Sequence, residues 1–172
     1  MKYYYVLLLF STLLFSNTPL PVPYVDVKKF SGLWYEVART YNSYQEECVA
    51  SSVEYALQND STYKVFNRCF KNIIGGDLIE YKGTAEPKNG NSMSKIDMTY
   101  FYIFTREYRV IYLEKDYSAA VVTDEEMDQV WVLSRKPQLP KRKLKKILSK
   151  LEKKMDVKRL IFTPQDKKGR YK

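Results

Sequence analysis

From residue 30 onward, apolar and polar side chains alternate in short runs, and turn-forming residues break them at regular intervals. Leu33-Trp-Tyr-Glu-Val-Ala-Arg39 reads as a first strand. Between Cys48 and Leu57 the positions Val49, Ser51, Val53, Tyr55 and Leu57 share one face, and Gln58-Asn-Asp-Ser61 ends the run. Thr62 to Phe70 returns, with Tyr63, Val65 and Asn67 opposite Lys64 and Arg68. The two runs form a hairpin pattern, and setting Tyr55 against Tyr63 places Val53 against Val65. After Gly75-Gly76, Leu78 to Glu86 is a strand stopped by Pro87 and the turn Lys88-Asn-Gly-Asn-Ser92. Ile96, Met98, Tyr100, Tyr102 and Phe104 then line one face of a long strand, which a Thr105-Arg-Glu107 connection ends. Tyr108 to Glu114, Tyr117 to Val122 and Gln129 to Ser134 complete the series. Eight strands with short connections predict an all-β, antiparallel up-and-down barrel, because closure removes unpaired edges.

The last part of the chain changes period. Leu144, Ile147, Leu148 and Leu151 follow Pro140 at helical spacing, and Met155 extends the stripe. An amphipathic helix over about residues 140–155 is expected to pack on the outside of the barrel. Arg159-Leu-Ile-Phe162 is a last short strand, and residues 163–172 a tail. Lys136 to Arg159 contains eleven basic residues against Glu152 and Asp156, a surplus equal to the +9 of the whole chain. The basicity therefore belongs to one helix face. Such a face, over residues 141–154, would attract an anionic membrane surface. Nucleic acid is not expected, since no aromatic residues interleave the basic stretch.

With 172 residues the chain has room for one domain with a real core, expected over residues 21–172 with the barrel at about 30–135. Residues 1–20 read as a cleaved signal peptide: Lys2 precedes ten apolar or small residues, Val6 to Phe15, too few for a bilayer span. No cysteine follows this segment closely, so a lipid-modified N-terminus is not expected. Export, to a periplasm or outer membrane in a bacterium and otherwise outside the cell, makes Cys48 and Cys69 a candidate disulfide across the hairpin. Asn59 begins a glycosylation acceptor triplet. The sequence has no histidine, which excludes Ser-His and Cys-His nucleophiles and histidine zinc sites. Neither a metal, a cofactor nor a catalytic group is expected. A free Cys69 is the one nucleophile that would support an enzyme.

Phe30-Ser-Gly32-Leu-Trp34-Tyr-Glu-Val-Ala-Arg39 resembles the first signature of the lipocalins. Tyr108-Arg-Val-Ile-Tyr-Leu-Glu-Lys-Asp116-Tyr117 and Val130-Trp-Val-Leu-Ser-Arg135 resemble the second and third, in order, with Lys115 where the family often has threonine. The chain is most similar to the bacterial outer-membrane lipocalins, themselves similar to apolipoprotein D. The resemblance implies a barrel sealed at one end by Trp34 under Arg135, with Gly32 at the entry to the first strand. It also implies a lumen for a fatty acid, lysophospholipid or similar lipid, with Trp131 and Tyr108 at ligand-lining positions. Alternation from these anchors adds Leu133, Val110, Tyr112, Ile96, Met98, Tyr100, Tyr102, Val53, Tyr55, Tyr63 and Val65 to the expected lumen set. Ligand identity and the choice between monomer and dimer stay open.

Overall fold

Period-two alternation and the closure it demands account for most of the architecture. The computed structural model describes residues 18–58 and 61–169. Almost all of the expected leader, and Asn59, lie outside the described residues. A one-turn helix α1 (Val27–Phe30) leads into eight antiparallel strands: β1 (Gly32–Arg39), β2 (Cys48–Leu57), β3 (Tyr63–Lys71), β4 (Leu78–Asn89), β5 (Ser92–Tyr100), β6 (Phe104–Leu113), β7 (Ala119–Thr123) and β8 (Val130–Ser134). Each strand pairs with the next, and β1 pairs with both β2 and β8, so the sheet closes into a barrel. Helix α2 (Lys141–Leu151) lies outside it, and the short β9 (Ile161–Phe162) adds to Ala38 and Arg39 of β1.

The barrel wall separates two apolar cores. The inner one gathers Phe30, Trp34, Tyr55, Tyr63, Val65, Ile96 and Val110. The outer one joins Ala38, Val121, Val130 and Val132 to Ile147 and Leu151 of α2. The amphipathic stripe predicted for the helix is therefore what holds it to the wall, although the helix ends at Leu151 rather than near 155. Lys146 pairs with Glu114 and Lys143 with Asp116, which turns two cations of the helix back onto the barrel.

Trp34 and Arg135 close one end. The guanidinium carbon of Arg135 sits 3.8 Å from the centre of the indole ring, a cation–π contact. Its two terminal nitrogens donate to the carbonyls of Lys29, Phe30, Ser31 and Leu33 at 2.7–3.1 Å. Trp34 Nε1 donates to the Phe30 carbonyl at 2.8 Å. One side chain thus ties α1, the start of β1 and the residue after β8 together. Gly32 is needed here for its backbone, with φ of +91°, more than for space: an added Cβ would lie 3.4 Å from Arg135 Nη1.

Three irregularities move residues away from simple alternation. The β2–β3 register sets Tyr55 against Val65 and Leu57 against Tyr63, two residues from the expected pairing. The faces survive because the slip is even, and Tyr55 still meets Tyr63 diagonally at 5.6 Å between rings. A bulge between Val49 and Ser52, with Ala50 at φ +50°, accompanies the slip. Cys48 and Cys69 form the expected disulfide, with their Cα atoms 5.4 Å apart. The predicted long strand ending at Phe104 is in fact two: the chain turns through Phe101-Tyr102-Ile103, so Thr105 to Glu107 belongs to β6. A second bulge, between Val110 and Tyr112, sends Ile111 and Tyr112 both to the outer core.

Replacing Arg135 with alanine removes the ring contact and the donor to four carbonyls. Arg135→Ala should cost about 2–4 kcal/mol in urea denaturation, whereas Arg142→Ala, on the exposed side of α2, should cost under about 0.5 kcal/mol.

Candidate functional site

Above the Trp34 base the barrel is hollow. A cavity of about 650 Å³ opens toward the end of the barrel that carries the β1–β2, β5–β6 and β7–β8 connections. Its walls come from facing strands. Val53 and Tyr55 stand on β2, Met98 and Tyr100 on β5, Tyr108 on β6, and Trp131 and Leu133 on β8. Tyr108 and Trp131 meet edge to face, with rings 5.5 Å apart. Burial pushes the Tyr55, Tyr100 and Tyr108 phenols up from their ordinary value, so all three are neutral at physiological pH. Tyr100 accepts from Asn67 Nδ2 at 2.6 Å and sits 2.7 Å from Met98 Sδ.

The other expected lumen residues lie elsewhere. Ile96, Val110, Tyr63 and Val65 face inward but pack with Phe30 and Trp34 in the solid part of the barrel, outside the cavity lining. Tyr63 donates its hydroxyl to the Val27 carbonyl. Tyr112 faces α2, with Lys146 and Lys150 within 5.7 Å of its ring, because the bulge at Ile111 reverses its direction. Tyr102 is 98 % exposed at the tip of the β5–β6 turn. Unbroken alternation would place both in the lumen, and the backbone breaks it at each.

Alternation also reaches lining residues that the aromatic pattern obscured. Glu36 is two residues from Trp34, Asn67 two from Val65, and Arg106 two from Tyr108; all three line the cavity. Others come from connections, which no period predicts: Asn42, Tyr44 and Gln45 before β2, Phe101 in the β5–β6 turn and Gln129 before β8.

The mouth is held by a polar network centred on Gln45. Its Nε2 donates to Glu36 at 2.6 Å, while its Oε1 accepts from Trp131 Nε1 at 3.0 Å and Asn42 Nδ2 at 2.7 Å. Thr163, just after β9, donates its hydroxyl to the second Glu36 oxygen, and Arg39 Nε lies 3.5 Å from the same atom. Burial outweighs these partners and holds the Glu36 carboxyl above the ordinary carboxylate value. Among the described residues no cluster of cysteine and acidic side chains could hold a metal ion. The disulfide leaves no free thiol in the cavity wall, which closes the nucleophile route through Cys69.

The model of the lipocalin-like domain matches residues 25–165. The chain belongs to the lipocalins. Lipocalins bind small hydrophobic ligands. This lipocalin is 31% identical over 147 residues to the outer membrane lipoprotein Blc of Vibrio cholerae, covering 84% of this chain and 85% of that one. It is 28% identical over 151 residues to temperature-induced lipocalin-1 of Arabidopsis thaliana, covering 82% and 80%. Bovine apolipoprotein D is similar at 27% over 123 residues, covering 67% and 63%. Among solved structures, insecticyanin of the tobacco hornworm Manduca sexta superposes with a TM-score of 0.70 at 19% identity, covering 88% of this chain and 86% of that one. Lobster apocrustacyanin A1 gives 0.64 at 20%, covering 90% and 95%. These structures share its fold.

The raised carboxyl of Glu36 has a stability consequence with a definite sign. The folded protein holds that proton more tightly than the unfolded chain, so its contribution is fully present below the ordinary value of 4.5 and is lost as pH rises through the folded value. In Glu36→Gln this dependence is absent. Urea midpoints of wild type relative to Glu36→Gln should therefore fall as pH rises from about 4, then level off.

Proposed function

We propose that this lipocalin binds and carries a single-chain amphiphilic lipid, such as a fatty acid or a lysophospholipid, in its lumen. The observation that carries this reading is the open cavity of about 650 Å³ whose walls are largely aromatic and aliphatic. That volume lies inside the range of about 300–1,000 Å³ usual for small-molecule sites. An acyl chain lying against Tyr55, Met98 and Leu133 would gain about 0.8 kcal/mol for each buried methylene. Arg106, Gln45 and Asn42 lie toward the mouth, where they could meet a head group, while Glu36 and Asn67 add polar points at the level of Leu133 and Val53. A largely apolar wall with polar groups available at the mouth suits a ligand that is oily at one end and wet at the other.

The proposed role is binding, storage or transport, in the service of cell-envelope lipids if the source is a bacterium, and not catalysis. Export is part of the reading. A disulfide persists in oxidising compartments, and the relatives include a protein named as an outer membrane lipoprotein. A second reading, docking of the basic helix on an anionic membrane, draws support from exposed Lys141, Arg142, Lys145 and Lys150. It has less to stand on, because Lys143 and Lys146 are already paired to the barrel.

Competition against a fluorescent fatty acid, with native mass spectrometry of the purified protein, tests the lumen. Leu133→Asp sets an unpaired carboxylate against the acyl path and should abolish binding, a loss of about 100-fold or more. Trp131→Ala should weaken it about tenfold. Wild-type affinity in a folded Leu133→Asp protein would overturn the reading.

A further inference from the structure

Connections in an up-and-down barrel alternate between its ends, so the β1–β2, β3–β4, β5–β6 and β7–β8 connections all lie at the open end. Two of them are apolar to an extent that water does not favour. The β5–β6 turn presents Phe101, Tyr102, Ile103 and Phe104 in succession, with Ile103 75 % exposed. The β3–β4 connection presents Ile73, 69 % exposed, and Ile74, and leads into exposed Leu78. Scattered exposed apolar residues are ordinary on a soluble protein, whereas a contiguous run at the rim of a cavity marks an interaction surface. The backbone holds this run out: Phe101 and Tyr102 have φ of +51° and +63°, a region unfavourable for aromatic residues. Phe101 and Phe104 are also cavity-lining, so the exposed strip is continuous with the lumen wall.

We infer that this rim docks on the surface of an electrically neutral lipid layer, inserting the β5–β6 and β3–β4 tips so that the barrel mouth faces the lipid. Charge selects the neutral surface. No charged residue lies between Asn72 and Gly76 or between Tyr100 and Thr105. Every charged residue in the four connections at this end is acidic: Glu46, Glu47, Asp77, and the run from Asp124 to Glu126 with Asp128. Three of these acids are paired with bases of the adjoining segments, Glu47 with Lys71, Glu125 with Arg109 and Asp128 with Arg159, so the rim offers no cationic patch to an anionic surface. The run of exposed cations that would favour one, Lys141, Arg142, Lys145 and Lys150, lies on α2, packed against the outer wall. Docking by the rim is thus separable from docking by the basic helix in lipid charge and in salt dependence.

Flotation with phosphatidylcholine vesicles at low and high salt provides the test. Wild type should float with the vesicles equally at both salts, and Tyr102→Ser/Ile103→Ser should lower partitioning by at least about tenfold. Those two side chains are exposed and do not line the cavity, so the variant should keep its thermal midpoint and its affinity for dissolved fatty acid. That last readout separates failure of the docking surface from failure of the lumen proposal. Arg142→Glu/Lys145→Glu, on the basic helix, should float as wild type does. Absence of wild-type flotation, or equal flotation of the Tyr102→Ser/Ile103→Ser variant, would overturn the inference. So would binding confined to phosphatidylglycerol vesicles and lost at high salt, or a dimer in sedimentation that only the rim variant dissolves.

Discussion

A guanidinium lying on an indole is the contact on which this barrel depends. A closed sheet with an empty upper half must obtain its rigidity from somewhere other than a continuous interior. Here Arg135 supplies it at the base, covering Trp34 and drawing four carbonyls from α1 and β1 onto one side chain. Below the cavity floor the interior is packed solid with Phe30, Tyr63, Val65 and Ile96. On the outside, α2 gives β7 and β8 a second core. Those strands are buried on nearly every residue, while the lumen side of the same wall can remain open.

The fold was legible because its strongest signals are local and repeat. Eight alternating runs, the helical stripe and the Gly32, Trp34 and Arg135 anchors each point to one architecture, and agreement across levels specifies a structure. What escaped was phase. Alternation carries a residue's direction along a strand only until a bulge or turn resets it, and these breaks leave little mark in this sequence. The turn at Phe101 to Ile103 contains no glycine, proline or asparagine, so it reads as strand. The bulge at Ile111 falls within an apolar run and reverses Tyr112 without any change in composition.

The site was legible in proportion to how much of it stands on strands. Tyr108, Trp131, Leu133, Met98 and Tyr55 follow from parity and the signature anchors. Gln45 does not, although it ties the first connection to Glu36, Asn42 and Trp131, because its position depends on how an eight-residue excursion folds back over the mouth. Depth was also invisible: parity says inward, yet it cannot tell an inward residue that bounds a void from one that fills the base. Ile96 and Met98 share a face, and only the second lines the cavity.

The outer helix braces only part of the circumference. Helix α2 covers β7, β8 and the neighbouring part of β1, whereas β4, on the far side, is open to solvent along most of its outer face. The far flank is instead held by links within the sheet itself, the Cys48–Cys69 disulfide between β2 and β3 and Arg68 of β3 paired to Glu54 of β2 and Glu80 of β4. The barrel is thus braced in two different ways, by a second apolar core on the helix side and by covalent and ionic cross-links on the single-walled side. Cutting those cross-links would therefore loosen only the flank that has no helix behind it.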